Sequence, residues 1–258
     1  MNIERFENED ALAAALATRL IEAISRNPRI VLGLPTGRTP VALYREIRSR
    51  SQRGHVDWSQ VRTFNLDEFV GLGAGDSGSY RSYMQAELFN HVRMTPEHIG
   101  LLDGRAPNLA AECARYECAI EQAGGIDLQI LGIGANGHIG FNEPGESLQA
   151  ETHVAELRAE TRRSNAGLFG GDINRVPSHA LSMGMATILH AREIVLMATG
   201  EEKQAAVAGM VDGPITTRLP ASFLQLYPRV TAMLDRGAAQ RLADRAFGVS
   251  ADAGQAPG

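Results

Sequence analysis

The chain has 258 residues, 44% of them hydrophobic, and a formal net charge of −5 at pH 7. That is enough apolar material for one large α/β domain or two small ones, and the negative balance gives no general attraction to nucleic acid or anionic membrane. No apolar run approaches the roughly 18 residues of a spanning helix, and the acidic start, Met1 to Asp10, lacks the apolar core of a signal peptide, so a cytoplasmic location is expected.

Apolar spacing from Asp10 to Arg26 predicts an amphipathic helix. Arg29 to Leu34 reads as a buried strand. Thr39 and Pro40 look like an N-cap followed by proline at the first helical position, opening a helix to about Arg50. Val61 to Leu66 reads as a second strand. Ser79 to Val92 and Asn108 to Gln122 read as helices, and the apolar run Ile126 to Leu131 as a strand. Ala180 to Ala191 is expected to be a strand end running into a short helix. Glu193 to Ala198 then reads as a strand, Glu201 to Val211 as a helix, and Thr231 to Leu234 as a short last strand. Strands alternating with helices predict an α/β fold: a single doubly wound, mostly parallel, Rossmann-like sheet with helices on both faces. The domain is expected to span residues 1–249, with a disordered Gly- and Ala-rich tail from Ser250.

Cys113 and Cys118 lie five residues apart in a predicted helix and do not share a face, so neither a disulfide nor a metal pair is expected. No His/Cys cluster has zinc-ligand spacing, and no metal or organic cofactor is expected. Of the 25 basic residues only one, Lys203, is lysine. Drift toward arginine does not explain its survival, which suggests a site needing a compact ammonium.

Four segments carry chemistry. Leu34-Pro-Thr-Gly-Arg-Thr-Pro40 joins a strand to a helix start, where free N–H groups and the helix dipole favour an anion. Thr36 and Thr39 add hydroxyls, Gly37 permits close approach and Arg38 adds charge. An ordinary capped turn is the alternative, and the pattern is neither a P-loop nor GxGxxG. In Phe64-Asn-Leu-Asp-Glu-Phe69, a shielded carboxylate at a strand end could act as a base on a carbon acid or sugar hydroxyl. A capping acid is the alternative there. Ile133 to Gly145 follows a strand and places His138 and Glu143 among glycines, as candidates for proton transfer near neutral pH. Thr199-Gly-Glu-Glu-Lys203 places a cation in the first turn of a helix, against the dipole, where it needs an anionic partner. A bound phosphate or a neighbouring glutamate would serve. A doubly wound sheet brings such loops to one edge, and the combination fits a small phosphorylated substrate undergoing proton transfers.

The segments LGLPTGRTP, FNLDEFVGL, LGIGANGHIGFNEPG and ATGEEKQAAV…LPASFLQLYP, in that order over about residues 8–240, resemble the glucosamine-6-phosphate deaminase family. The resemblance implies conversion of glucosamine 6-phosphate to fructose 6-phosphate and ammonia. Carried over by position, it implies Asp67 as the base between C2 and C1 of the opened sugar and His138 as the ring-opening group. Glu143 would tune His138, and Asn136 would position it. Lys203 would hold the phosphate. The Thr36 to Thr39 loop would bind the phosphate or the anomeric end. Some family members have aspartate at Asn136. A phosphate-binding arginine of the family falls at Gly167 here, and Arg38 stands where many members have glycine, so Arg38 is expected to replace the missing charge. The same two changes could mark galactosamine 6-phosphate as substrate. A lactonase of the sister 6-phosphogluconolactonase branch and a non-enzymatic sugar-phosphate sensor are the rival readings; the FNEPG loop and Asp67 argue against the first, and the retention of Asp67, His138 and Glu143 together argues against the second. Allosteric members bind an N-acetylated sugar phosphate through basic residues that fall at His153 and Ala155, so no such activation is expected. Partner expectations are a small phosphorylated amino sugar, no nucleic acid and no membrane. A homo-oligomer is left open, because family members range from monomers to hexamers.

Overall fold

The computed structural model describes residues 1–54 and 56–242. In its first half the strands and helices are β1 (Asn2–Phe6), α1 (Glu9–Arg26), β2 (Val31–Leu34), α2 (Val41–Gln52), β3 (Arg62–Asn65), β4 (Asp67–Phe69), α3 (Tyr80–Glu87), β5 (Ile99–Gly100) and α4 (Leu109–Gln122). Then come β6 (Leu128–Leu131), β7 (His153–Glu156), α5 (Ala159–Asn165), β8 (His179–Ser182), α6 (Met185–Leu189), β9 (Glu193–Ala198), α7 (Gln204–Asp212) and β10 (Val230–Asp235).

Local chemistry sets the helix starts. The side chains of Asn8, Ser79 and Asn108 accept backbone N–H groups of Ala11, Ser82 and Ala111 at the starts of α1, α3 and α4, satisfying donors that a helix start leaves open. Thr39 does not play this part. Pro40 takes the cap position of α2 in a helical conformation with no side-chain bond, and Val41 N donates to Arg38 O instead. The helix therefore begins one residue later than expected, and the Thr39 hydroxyl is not used as a cap. The predicted helix from Ser79 stops at Glu87 and continues as a 3-10 turn, Phe89–His91. The one from Glu201 opens as a 3-10 turn, Glu201–Lys203, before α7.

Seven strands pair in parallel in the order β1-β10-β9-β6-β2-β3-β5. Alternate strand residues feed two cores. Leu32, Leu34, Leu128, Ile130, Val195 and Met197 pack with α1, α2 and α3. Val31, Phe64, Leu131, Ile194 and Leu196 pack with α4, α6 and α7 on the other face. This is the doubly wound, two-faced sheet expected. A second, antiparallel sheet, β4-β8-β7, stands beside it over a small core of Phe69, Tyr80, Phe141 and Phe169. The short β1, β4, β5 and β7 lie outside the segments predicted as strands. The tail from Ser250 lies outside the described residues.

The strand order fixes where a ligand can sit. The chain runs outward from β2 through β3 to β5, then returns to the other side of β2 with β6 and runs outward again through β9. β2 and β6 therefore flank the point where winding reverses, and the loops leaving their carboxyl ends separate into a crevice. The four chemical segments follow β2, β3, β6 and β9, which are neighbours in the sheet.

Candidate active site

After β2, the chain turns through Gly37 at φ +93°, a region open to glycine and strained for other residues. Two tyrosines hold this turn: Tyr44 Oη donates to Pro35 O at 2.5 Å and Tyr83 Oη to Gly37 O at 2.7 Å. Thr36 Oγ1 donates to Asp67 Oδ1 at 3.2 Å, tying the β2 loop to the β3–β4 step. Arg38 is exposed at its crest.

Asp67 and Glu68, adjacent in sequence, do different work. The three-residue β4 points successive side chains to opposite sides. Glu68, 2% exposed, accepts the backbone N–H groups of Phe69, Tyr80 and Arg81 at 2.8, 3.0 and 2.9 Å, two of them at the start of α3. Burial raises its pKa, against the pull of those donors. Among the described residues, the Asp67 carboxylate has the Thr36 hydroxyl as its side-chain hydrogen-bond partner. Burial pushes its carboxyl up to about 7, with Thr36 opposing and Glu68 adding to the rise. The capping alternative thus belongs to Glu68, and Asp67 is a carboxyl poised to exchange a proton near neutrality.

The loop after β6 is built for close approach. Gly137 N donates to Gly134 O, and Gly134 N to His138 O, both at 2.9 Å. A Cβ on Gly134 would lie 2.4 Å from His138 Cε1, so the ring rests against bare backbone. Asn136 organises the turn with both ends of its amide: Oδ1 accepts His138 N at 3.1 Å, and Nδ2 donates to Glu143 Oε2 at 3.0 Å. His138 Nδ1 stands 3.7 Å from the same Oε2. Burial raises the Glu143 carboxyl, but His138, Thr161 and Asn136 outweigh it and hold the group below its ordinary value. The loop is pinned on two sides. Asn142 Nδ2 donates to Ile139 O and Met183 O, and Ala221 N donates to Gly137 O.

After β9, Gly200 turns at φ +90° and Lys203 ends the 3-10 turn, immediately before α7 rather than within its first turn. Burial lowers the Lys203 ammonium pKa; Glu202 opposes the shift and Arg38 adds to it. Two loops from different strands thus bring a lysine and an arginine within mutual repulsion, an arrangement that an anion between them would relieve.

Ser182 connects the two acid/base elements. It pairs with Asp67 across the small sheet, and its Oγ accepts Phe141 N at 2.9 Å. All nine residues singled out in the sequence lie on the segments that follow four neighbouring strands: Thr36, Gly37, Arg38 and Thr39 after β2, Asp67 at the start of β4 after β3, Asn136, His138 and Glu143 after β6, and Lys203 after β9. Gly167 is exposed on a 3-10 turn, and a Cβ there would meet nothing.

A family model described as glucosamine-6-phosphate isomerases/6-phosphogluconolactonase matches residues 5–232. The chain belongs to this family. It is 48% identical to glucosamine-6-phosphate deaminase 2 of Bacillus subtilis, over 95% of this chain and 97% of that one. It is 44% identical to the glucosamine-6-phosphate deaminase of Halalkalibacterium halodurans, over 94% and 98%. Among solved structures, a monomeric glucosamine-6-phosphate deaminase superposes with a TM-score of 0.90 at 40% identity, covering 93% of this chain and 99% of that one. A 6-phosphogluconolactonase from Trypanosoma cruzi, at TM-score 0.72 and 21% identity, covering 93% and 96%, shares the fold.

Within the family frame, reasoning from sequence left out Thr161, Tyr80 and Asn142. Thr161, 1% exposed on α5, brings Oγ1 to 3.5 Å from His138 Nδ1. Tyr80 donates to Asn165 Oδ1 at 3.0 Å and stacks on Phe141 at a centroid distance of 6.0 Å, holding α5 against the histidine loop. A lone threonine in a short polar helix carries no periodic signal. Asn142 stood in the quoted FNEPG motif, and its place there was the available clue.

Among the described residues, no group of three or more His, Cys, Asp or Glu is arranged to hold a metal. No helix among them is long and apolar enough to cross a membrane. Both cysteines are free thiols, Cys113 buried and Cys118 exposed.

Proposed function

We propose that this protein converts glucosamine 6-phosphate and water to fructose 6-phosphate and ammonia. One observation carries the reading: a buried carboxyl raised to about 7 at the start of β4, in a family whose close relatives are named glucosamine-6-phosphate deaminases. Ligand sensing calls for no such base, and lactone hydrolysis involves no proton transfer between carbons.

His138 takes the proton of the anomeric hydroxyl and returns it to the ring oxygen, opening the pyranose to the aldehyde. Glu143 stabilises the imidazolium while it exists, as a carboxylate partner does at other histidine-centred sites. Asn136 is neutral and contributes position only. Asp67, ionised in a sizeable fraction at neutral pH, removes the C2 proton and delivers it to C1. The carbonyl oxygen takes up a proton as the nitrogen gives one up, so the aldehyde becomes a primary alcohol and C2 an imine. Water adds to the imine and ammonia leaves, giving the ketone.

The phosphate is held by Lys203, Arg38 and the Thr36 to Thr39 turn. Two features support this: the electrostatic proximity of Arg38 and Lys203 and a Thr39 hydroxyl that does not cap α2. Arg38 stands in for a cation absent at Gly167. The reaction run in deuterium oxide tests the chemistry. Fructose 6-phosphate should carry deuterium at C1 to the extent that Asp67 exchanges its proton with solvent before delivering it, and Asp67→Asn should turn over at least about a hundredfold more slowly while still binding substrate. An Asp67→Asn protein with wild-type turnover would remove Asp67 from the role.

A further inference from the structure

His138 and Glu143 lie within ion-pair range but do not hydrogen-bond. At 3.7 Å the Nδ1 to Oε2 separation is too long for a hydrogen bond, and Oε2 already accepts the Asn136 amide at 3.0 Å. Among the described residues, the other oxygen, Oε1, is buried and has no hydrogen-bond partner. A buried carboxylate oxygen left so is costly, and the Thr161 hydroxyl is a group able to meet it.

We propose that the hydroxyl of Thr161 bridges His138 and Glu143, accepting from His138 Nδ1–H and donating to the unpartnered Oε1 of Glu143. Thr161 is 1% exposed, and its Oγ1 lies 3.5 Å from Nδ1. Its carbonyl is engaged twice, accepting Ser164 Oγ and Asn165 Nδ2, both at 2.9 Å. A β-branched side chain in a helix has restricted χ1 freedom, so these anchors and the packing of α5 aim the hydroxyl. Among the described residues, that hydroxyl bonds no helix carbonyl, which is where threonine in a helix commonly turns. Thr161 also helps hold the Glu143 carboxyl below its ordinary value.

The bridge answers a need particular to this loop. Asn136 supplies no charge, so the carboxylate support at the imidazole falls to Glu143, which stands too far away to hydrogen-bond the ring and fix its tautomer directly. A hydroxyl between them passes the influence on and holds the Nδ1–H tautomer, leaving Nε2 free for substrate. Thr161 is a positioning residue, and its catalytic consequence rests on the activity proposed above.

Imidazole 15N NMR and steady-state kinetics on Thr161→Val and Thr161→Ser form the test. In the wild type, neutral His138 should carry its proton on Nδ1. Thr161→Val should lower kcat about tenfold, a modest share of what general acid–base help contributes, with KM held within about twofold. Its neutral His138 should lose the preference for Nδ1–H, because the hydroxyl no longer accepts that proton. Thr161→Ser should restore both. An Nε2–H tautomer in the wild type overturns the bridge even if no variant folds. So does a Thr161→Val protein with unchanged kcat and tautomer, or a loss that serine does not repair. The NMR needs no substrate, so an inactive wild type with the predicted tautomer, and its loss in Thr161→Val, would refute the activity and leave the bridge standing.

Discussion

Placing a carboxylate at the end of a buried strand is costly, and at Asp67 the cost is visible as a pKa raised by burial from 3.8 to about 7. Because the folded state holds its proton more tightly than the unfolded chain, the favourable contribution is complete below about pH 4 and is lost as pH rises through about 7. Asp67→Asn should therefore stabilise the protein at pH 8, on the order of a few kcal/mol at about 1.4 kcal/mol per pKa unit, and the gain should vanish towards pH 4. Thermal melts at the two pH values check this. Turnover should fall by at least about a hundredfold in the same variant. Arg38 and Lys203 make a second statement at this scale. Arg38→Ala should raise KM about fivefold or more with kcat little changed, the signature of lost uniform binding. A substrate titration with KM and turnover both unaltered would end the idea that Arg38 holds the phosphate.

Elements convert these residues into a site, and glycine and capping do much of the work. Gly134 lets the His138 ring lie on the backbone, and a Cβ would come within 2.4 Å of it. Gly134→Ala should displace the ring and lower kcat about a hundredfold, with the far-ultraviolet circular dichroism unchanged. Glu68 ties β4 to α3 through three backbone N–H groups. Glu68→Ala would leave these donors unpaired and should cost about 2–4 kcal/mol, read as a lower urea midpoint at constant slope. Elements with strong periodicity or caps were readable from sequence: α1 by its apolar stripe, α4 by Asn108, and β9 by its continuous apolar run. The three-residue β4, the two-residue β5 and the edge strands β1 and β7 were not. Short or half-exposed strands owe their pairing to the neighbours that tertiary structure brings, and the Thr39 cap lost to Pro40, whose backbone already enters the helix.

Across the whole molecule, the sheet order makes four separate loops into one place. Alternation of strands and helices predicts a doubly wound sheet, and such a sheet implies a ligand edge, so the grouping of Thr36, Asp67, His138 and Lys203 could be foreseen. The small β4-β8-β7 sheet could not, though it delivers Ser182 to both Asp67 and the histidine loop. That sheet also bears on regulation. At the positions where allosteric relatives were expected to carry basic residues, Ala155 is buried, and burial lowers the His153 imidazole pKa. N-acetylglucosamine 6-phosphate should accordingly give no rate increase at any substrate concentration, and a clear activation would refute this. The most direct test is release of ammonia by the purified protein from glucosamine 6-phosphate, compared with galactosamine 6-phosphate and 6-phosphogluconolactone. Equimolar ammonia and fructose 6-phosphate should appear from glucosamine 6-phosphate, with kcat/KM at least about tenfold above the galactosamine compound and no catalysed lactone hydrolysis. Absence of ammonia from glucosamine 6-phosphate, or catalysed opening of the lactone in its place, would contradict the account.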